Sequence, residues 1–291
     1  MTATIKTSLA RPIVLLSALA AVATALAAPS AMKSYLVTGA NKGQGLALCK
    51  RILNEHANTH VFLCSRDVRR GEDAREVLLA AGAVDRGRVD VLQLDVTDDN
   101  SVRAASEEVR GKLGERKLAG FVSNAGILWG RPLPDLMDVC ATGVKLVLDA
   151  FVPFVEDDGR VVVVTSGLGP LMHSYAGEGR RAALIGDVDL DPMVEECLAA
   201  YAGSEAGEER IAAFEKIEFP GGPFAADAPD FHTYGLAKMF GDAHMLRVAR
   251  KHPNLRVTSV DPGLVYTDLI LEMPKYAGKK REETGAQSPE E

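Results

Sequence analysis

Six short apolar runs punctuate the chain, at Tyr35 to Thr38, His60 to Ser65, Arg88 to Leu94, Leu118 to Ser123, Gly159 to Thr165 and Leu255 to Val260. Most are continuous in Val, Leu and Ile rather than alternating, the pattern of parallel strands covered on both faces. Between them lie amphipathic stretches with helical spacing: Leu46 to Glu55, Val68 to Ala81, Asp98 to Leu113, Leu133 to Val155 and Tyr234 to His252. Thr97 is the expected N-cap of the third. Strand and helix in alternation predict an α/β fold, a doubly wound, Rossmann-like parallel sheet of about six strands with helices on both faces.

The ends depart from this alternation. Lys6 and Arg11 precede an apolar, Ala-rich run from Ile13 to Ala28, and Ala25-Leu26-Ala27 offers the small-x-small pattern of a cleavage site. Residues 1–31 are therefore expected to be a targeting segment, for a secretory or plastid route, with no stable membrane span left in the mature domain. Met32 stands just before the first strand, so a cytoplasmic form beginning there is the alternative. One domain is expected over 32–274, carrying a helical insertion at about 170–229, and residues 275–291 are polar enough to be read as a disordered tail.

Composition narrows the function. In 291 residues, 47% hydrophobic and 25% charged, the formal net charge is -7, which argues against a general nucleic-acid surface because phosphates need clustered cations. Cys49, Cys64, Cys140 and Cys197 form no Cys-x-x-Cys pair, and no His stands at metal-ligand spacing, so buried thiols are expected rather than a metal site or disulfides.

The first strand runs into Thr38-Gly39-Ala40-Asn41-Lys42-Gly43-Gln44-Gly45, and a helical stretch follows. In that context Gly39, Gly43 and Gly45 let the backbone turn tightly and approach a pyrophosphate, whose charge a helix N-terminus favours. The end of the second strand reads the ribose, through an acid for a 2'-hydroxyl or a cation for a 2'-phosphate. Arg66 follows the last glycine by 21 positions, and Lys42 can reach the same phosphate from the loop. Two cations favour NADPH; Asp67 is the contrary signal.

With Asn124-Ala125-Gly126, Ser166, Tyr234-x-x-x-Lys238 and Pro262-Gly263-Leu264-Val265-Tyr266-Thr267, these residues resemble the motif set of the short-chain dehydrogenase/reductases. The likeness spans about residues 33 to 274. It is strongest to the NADPH-dependent carbonyl reductases, through Ser65-Arg66-Asp67-Val68-Arg69-Arg70-Gly71 and through the long insertion between Ser166 and Tyr234. The resemblance implies that Gly39, Asn41, Lys42, Gly43, Gln44 and Gly45 line the phosphates and adenosine ribose. It places Asp95 and Val96 at the adenine, Asn124, Ala125 and Gly126 beside the riboses, and Pro262, Val265 and Thr267 at the nicotinamide. It also implies a monomer, because the insertion covers a surface that other members use for dimer contacts.

The same resemblance makes Ser166, Tyr234 and Lys238 catalytic and places Tyr234 and Lys238 at the cofactor as well, Lys238 as a ligand of the nicotinamide ribose. Four residues apart on a helix, Tyr234 and Lys238 share a face, and a cation beside a phenol stabilises the phenolate, so the phenol is expected below its usual value. Tyr234 would protonate the oxygen of a small-molecule aldehyde, ketone or quinone while Ser166 donates a hydrogen bond to it. Taken alone, Tyr and Lys at this spacing are common in helices, and Ser166 could simply end a strand.

Three positions depart from the family pattern. Cys140 stands where a catalytic Asn is usual, and Gln44 where a branched apolar residue is usual. After Thr267 the final helix and seventh strand are missing, which would leave the sixth strand at an open edge. The expected function is NADPH-dependent carbonyl reduction, with two alternatives: a non-catalytic NADP-binding regulator or scaffold, and an NADP-dependent alcohol or steroid dehydrogenase working oxidatively.

Overall fold

Each apolar run forms a strand: β1 (Lys33–Val37), β2 (Thr59–Ser65), β3 (Val89–Gln93), β4 (Leu118–Ser123), β5 (Val155–Val164) and β6 (Arg256–Val260). The computed structural model describes residues 32–80, 85–128, 130–265, 267–271 and 276–290. The expected targeting segment lies outside them. All strands pair in parallel, in the order β3-β2-β1-β4-β5-β6. The sheet grows outward in both directions from the β1–β4 pair, so a crevice opens where the chain changes direction, at the carboxyl ends of those strands.

Helices α1 (Gly43–Glu55), α2 (Val68–Ala80) and α3 (Asp99–Leu113) follow the first three strands. Because successive strand residues point to opposite faces, Leu36 enters a core with Phe121 and Phe151, whereas Val37 enters a second one with Cys49 and Leu63. Asp98, rather than Thr97, caps α3 by accepting from the Asn100 N–H at 2.9 Å. Such a cap contributes about 1 kcal/mol. Thr97 instead donates its hydroxyl to Asp95 at 2.8 Å.

The stretch expected as one helix from Leu133 to Val155 is interrupted. α4 (Leu133–Met137) leads into a wide π turn at Asp138–Thr142, then α5 (Gly143–Phe151) and a 3-10 turn at Val152–Phe154. Gly143 permits the widening, since a Cβ there would lie 2.7 Å from the Asp138 carbonyl oxygen and 3.0 Å from that of Val96. The π turn carries Cys140, whose carbonyl oxygen abuts Gly241 on a later helix.

Between β5 and that helix run α6 (Leu168–Tyr175), α7 (Glu178–Leu184), α8 (Asp191–Ala202), α9 (Glu208–Lys216) and α10 (Phe224–Asp227). They share a third core, in which Met193, Val194, Cys197 and Phe214 meet Leu133, Met137 and Phe240. Met172 is buried in this core and Tyr175 and Phe224 pack against it, so core packing accounts for these bulky groups. α11 (Pro229–Lys251) then crosses the sheet with both ends of its buried face occupied, by Thr233 near the start and Val248 near the end.

Two short helices follow β6, α12 (Asp268–Leu271) and α13 (Arg281–Thr284). The tail read as disordered is instead folded over 276–290. Thr284 is buried, Lys280 N–H donates to Glu283 at 2.8 Å, and Gln287 N–H donates to the Leu264 carbonyl at 2.9 Å. Gln287 also bridges Val265 in parallel, and Glu290 pairs with Lys50 of α1. Polar composition misled because backbone pairing, which composition does not record, secures the segment. β6 remains a sheet edge and is largely exposed.

Candidate active site

The glycine loop leaves β1 and enters α1 with Gly39 at φ 62° and Gly43 at φ 57°, backbone conformations that side chains rarely adopt. A Cβ on Gly39 would lie 2.9 Å from the Ala125 Cα, and one on Gly45 would lie 2.6 Å from the Asn124 side-chain nitrogen. The loop is held from β4. Thr38 Oγ1 accepts from the N–H groups of Asn124 and Ala125, each at 2.9 Å, and Asn124 Nδ2 donates to the Thr38 carbonyl at 2.9 Å. The Asn124 amide thus clamps the loop rather than reaching only toward a ribose.

Along this loop runs a groove of about 470 Å³. Asn41, Lys42, Gly43, Gln44 and Gly45 form one wall, with Asn124, Ala125 and Gly126 at the crossing between β1 and β4. Asp95 and Val96 line one end beside Arg66, and Thr267 lies opposite Gly43, whose Cβ would stand 3.3 Å from its methyl group. Arg70 and Arg131 add two cations that the sequence pattern did not single out. Asp67, the contrary signal for cofactor choice, accepts at Oδ1 from the N–H groups of Arg69 and Arg70, at 2.9 and 3.2 Å. It caps α2, and those bonds, that from Arg70 foremost, hold its carboxyl below the usual range.

A second, narrower cleft of about 120 Å³ holds Ser166, Tyr234 and Lys238 together, with Gln44, Pro262, Val265 and Thr267 also in its wall. Ile127, Leu128, Leu264 and Ile270 make part of the lining apolar. Lys238 Nζ donates to the Val164 carbonyl at 3.1 Å and stands 5.7 Å from the Tyr234 ring centroid. Both side chains are buried. The expectation of a lowered phenol is overturned: burial, the largest influence, pushes the Tyr234 phenol up, and the Asp261 carboxylate adds to that. The Lys238 cation and the Ser166 hydrogen bond only partly offset the rise. Burial opposes the Lys238 charge, but its acidic neighbours, the carboxylates of Asp242 and Asp261 among them, hold it above its usual value.

Two acidic residues escaped sequence reasoning, Asp261 in the cleft wall and Asp242 behind it. Asp261 accepts from Gly167 N–H at 2.9 Å and Gly263 N–H at 3.0 Å, tying the turn after Ser166 to the loop after β6. Asp242 lies one turn beyond Lys238 and accepts from the Thr165 hydroxyl. The second has a sequence signal, an acid four residues after Lys238; the first has none, since the pairing is between loops distant in sequence. The four cysteines are buried and unpaired, and among the described residues no cluster suited to a metal occurs. No described helix is long and apolar enough to cross a membrane.

A family profile described as short chain dehydrogenase matches residues 33–178. The chain is 29% identical over 296 aligned positions to short-chain dehydrogenase/reductase 1 of Saponaria officinalis, covering 89% of each protein. It is 27% identical to mouse carbonyl reductase [NADPH] 3, covering 89% of this chain and 90% of that one. Similarity extends to (+)-neomenthol dehydrogenase of Arabidopsis thaliana, at 27% identity over 87% of this chain and 88% of the relative. Among solved structures, salutaridine reductase from Papaver somniferum superposes with a TM-score of 0.66 at 23% identity, covering 89% of this chain and 92% of its own.

Proposed function

Because the chain belongs to the short-chain dehydrogenase/reductase family and is an oxidoreductase of that kind, we propose that it reduces aldehyde, ketone or quinone carbonyls with NADPH. The observation that carries this reading is the convergence of Ser166, Tyr234 and Lys238 in one cleft that shares Gln44, Asn124, Gly126 and Thr267 with the glycine-loop groove. The groove fits a dinucleotide. Gly39 and Gly45 leave no room for side chains, the loop ends at a helix N-terminus, and Arg66 and Lys42 in the wall are cations that a 2'-phosphate would pair with. Arg66 is exposed in the groove wall, and Asp67, which shares that wall, gives its Oδ1 to the cap of α2.

NADPH, when bound, supplies hydride to the carbonyl carbon. The chain's own residues handle the oxygen. Ser166 donates a hydrogen bond to it, and Tyr234, buried and held protonated, gives up its proton there. Lys238, fixed by the Val164 carbonyl, stabilises the phenolate left behind and would hold the nicotinamide ribose. Cys140, where the family pattern has Asn, sits in the π turn with its carbonyl against Gly241 of α11. The insertion helices cover α11 and α4, which favours a monomer.

A second reading, oxidation of a small alicyclic alcohol, draws on the apolar part of the cleft lining and on the neomenthol dehydrogenase relative. Steady-state turnover with NADPH and NADH over a panel of carbonyls and alcohols tests both. The expected outcome is reduction with NADPH preferred, and Arg66→Ala cutting that preference about ten- to a hundredfold, the scale of a lost charge-assisted contact of about 1.5–3 kcal/mol. Bound NADPH that no carbonyl oxidises would sink the proposal.

A further inference from the structure

Asp242 projects from α11 one turn beyond Lys238, on the line that already carries Tyr234 and Lys238 at intervals of four. One carboxylate oxygen, Oδ1, accepts from the hydroxyl of Thr165, the residue immediately before Ser166. The other, Oδ2, is buried and has no hydrogen-bond partner among the described residues. Room for it exists only because residue 169 is glycine: a Cβ on Gly169 would collide with Oδ2. A buried carboxylate oxygen without a partner carries a desolvation cost that a purely structural position has no reason to retain.

The charges that act on Asp242 come from few elements. Lys238 lies on its own helix and favours the carboxylate, while Asp261 from the loop after β6 opposes it. The Thr165 hydroxyl from the end of β5 stabilises the anion, and α6 approaches through Gly169, which brings no charge. Burial, the largest influence, pushes the carboxyl up to about 6. Two ties, Lys238 to the Val164 carbonyl and Thr165 to Asp242, thus register α11 against the strand end that presents Ser166.

We propose that Asp242 is a positioning residue for proton delivery: through Thr165 it aligns α11, and with it Tyr234 and Lys238, with the strand end that presents Ser166. The proposal rests on the reductase reading for its kinetic consequence and on the cleft geometry alone for its electrostatic one. The ionised carboxylate accepts a charge-assisted hydrogen bond from Thr165; protonation weakens that tie, so turnover falls as pH drops through the carboxyl's titration.

The test is the pH profile of kcat for NADPH-dependent carbonyl reduction by the full chain. The wild type is expected to show an acid limb near pH 6. Asp242→Asn is expected to lose that limb and to run at the wild type's low-pH level, about tenfold down near neutrality, with KM for NADPH within about twofold. Thr165→Val removes the tie itself and is expected to lose the limb as Asp242→Asn does, and Thr165→Ser restores it. An Asp242→Asn enzyme with an unchanged limb overturns the proposal, as does a Thr165→Val enzyme that keeps it. Carbon-13 NMR of the Asp242 carboxyl provides the readout that does not need turnover. Thr165→Val is expected to move its titration to higher pH, and an unmoved titration overturns the tie. A wild type inactive on every carbonyl sinks the reductase reading, while the NMR titration still decides for or against Asp242.

Discussion

The glycine-loop groove and the catalytic cleft share a boundary at Asn124 and Gly126 yet are made differently. The groove is chiefly backbone: glycines at positive φ, a helix start, and a loop clamped by Thr38 and Asn124 within the first two thirds of the sheet. The cleft is chiefly side chains, brought in by the ends of β5 and β6, by α11 and by the loop after Pro262, with Gln287 pairing onto that loop from near the end of the described chain. A backbone site tolerates change in the residues around it but not a Cβ inside it. A side-chain site has the opposite sensitivity.

The sharpest test of that contrast is Tyr234→Phe. Removing one oxygen that acts as general acid is expected to lower kcat about a hundred- to ten-thousandfold. The NADPH dissociation constant, measured by fluorescence titration, should stay within about twofold, because the phenol oxygen is not part of the groove wall. Equal losses in both would show that the two sites are not separable. Gly45→Ala probes the other side with a single methyl. Its Cβ would meet Asn124 Nδ2 and the Gly39 carbonyl oxygen, each at 2.6 Å, so the loop clamp must open. Such overpacking costs about 1–3 kcal/mol, expected as a lowered unfolding midpoint in urea and at least tenfold weaker NADPH binding. Retained binding would mean that the loop can shift without loss of the groove.

How far each site could be read from the sequence follows the same division. Gly39, Gly43, Gly45 and Arg66 announce themselves because local spacing fixes what backbone and the strand end must do, and all stand in the groove. The six strands were legible for the same reason, through continuous Val and Leu runs such as Val161 to Val164. The phenol's direction was not, because it depends on burial by the α11 packing and on Asp261, an acid from a distant loop. Nor was the interruption at Asp138–Thr142, where hydrophobic spacing reads as one helix although Gly143 admits the Val96 carbonyl. The tail misled most: Gln287 joins Val265 by backbone groups, and no composition reports that.

That tail offers the smallest and most discriminating prediction. It reaches the cleft by backbone pairing at Leu264 and Val265, and it reaches α1 through the exposed Lys50–Glu290 pair at 2.7 Å. Exposed pairs are screened by water and salt and contribute little. Lys50→Ala is therefore expected to leave the unfolding midpoint and NADPH affinity unchanged within error. Gln287→Pro, which removes the N–H donated to Leu264, is expected to raise KM for the carbonyl severalfold while sparing NADPH affinity. If instead Lys50→Ala weakens NADPH binding in a salt-dependent way, the tail acts through α1 and the glycine loop. The groove would then depend on distant side chains as much as the cleft does.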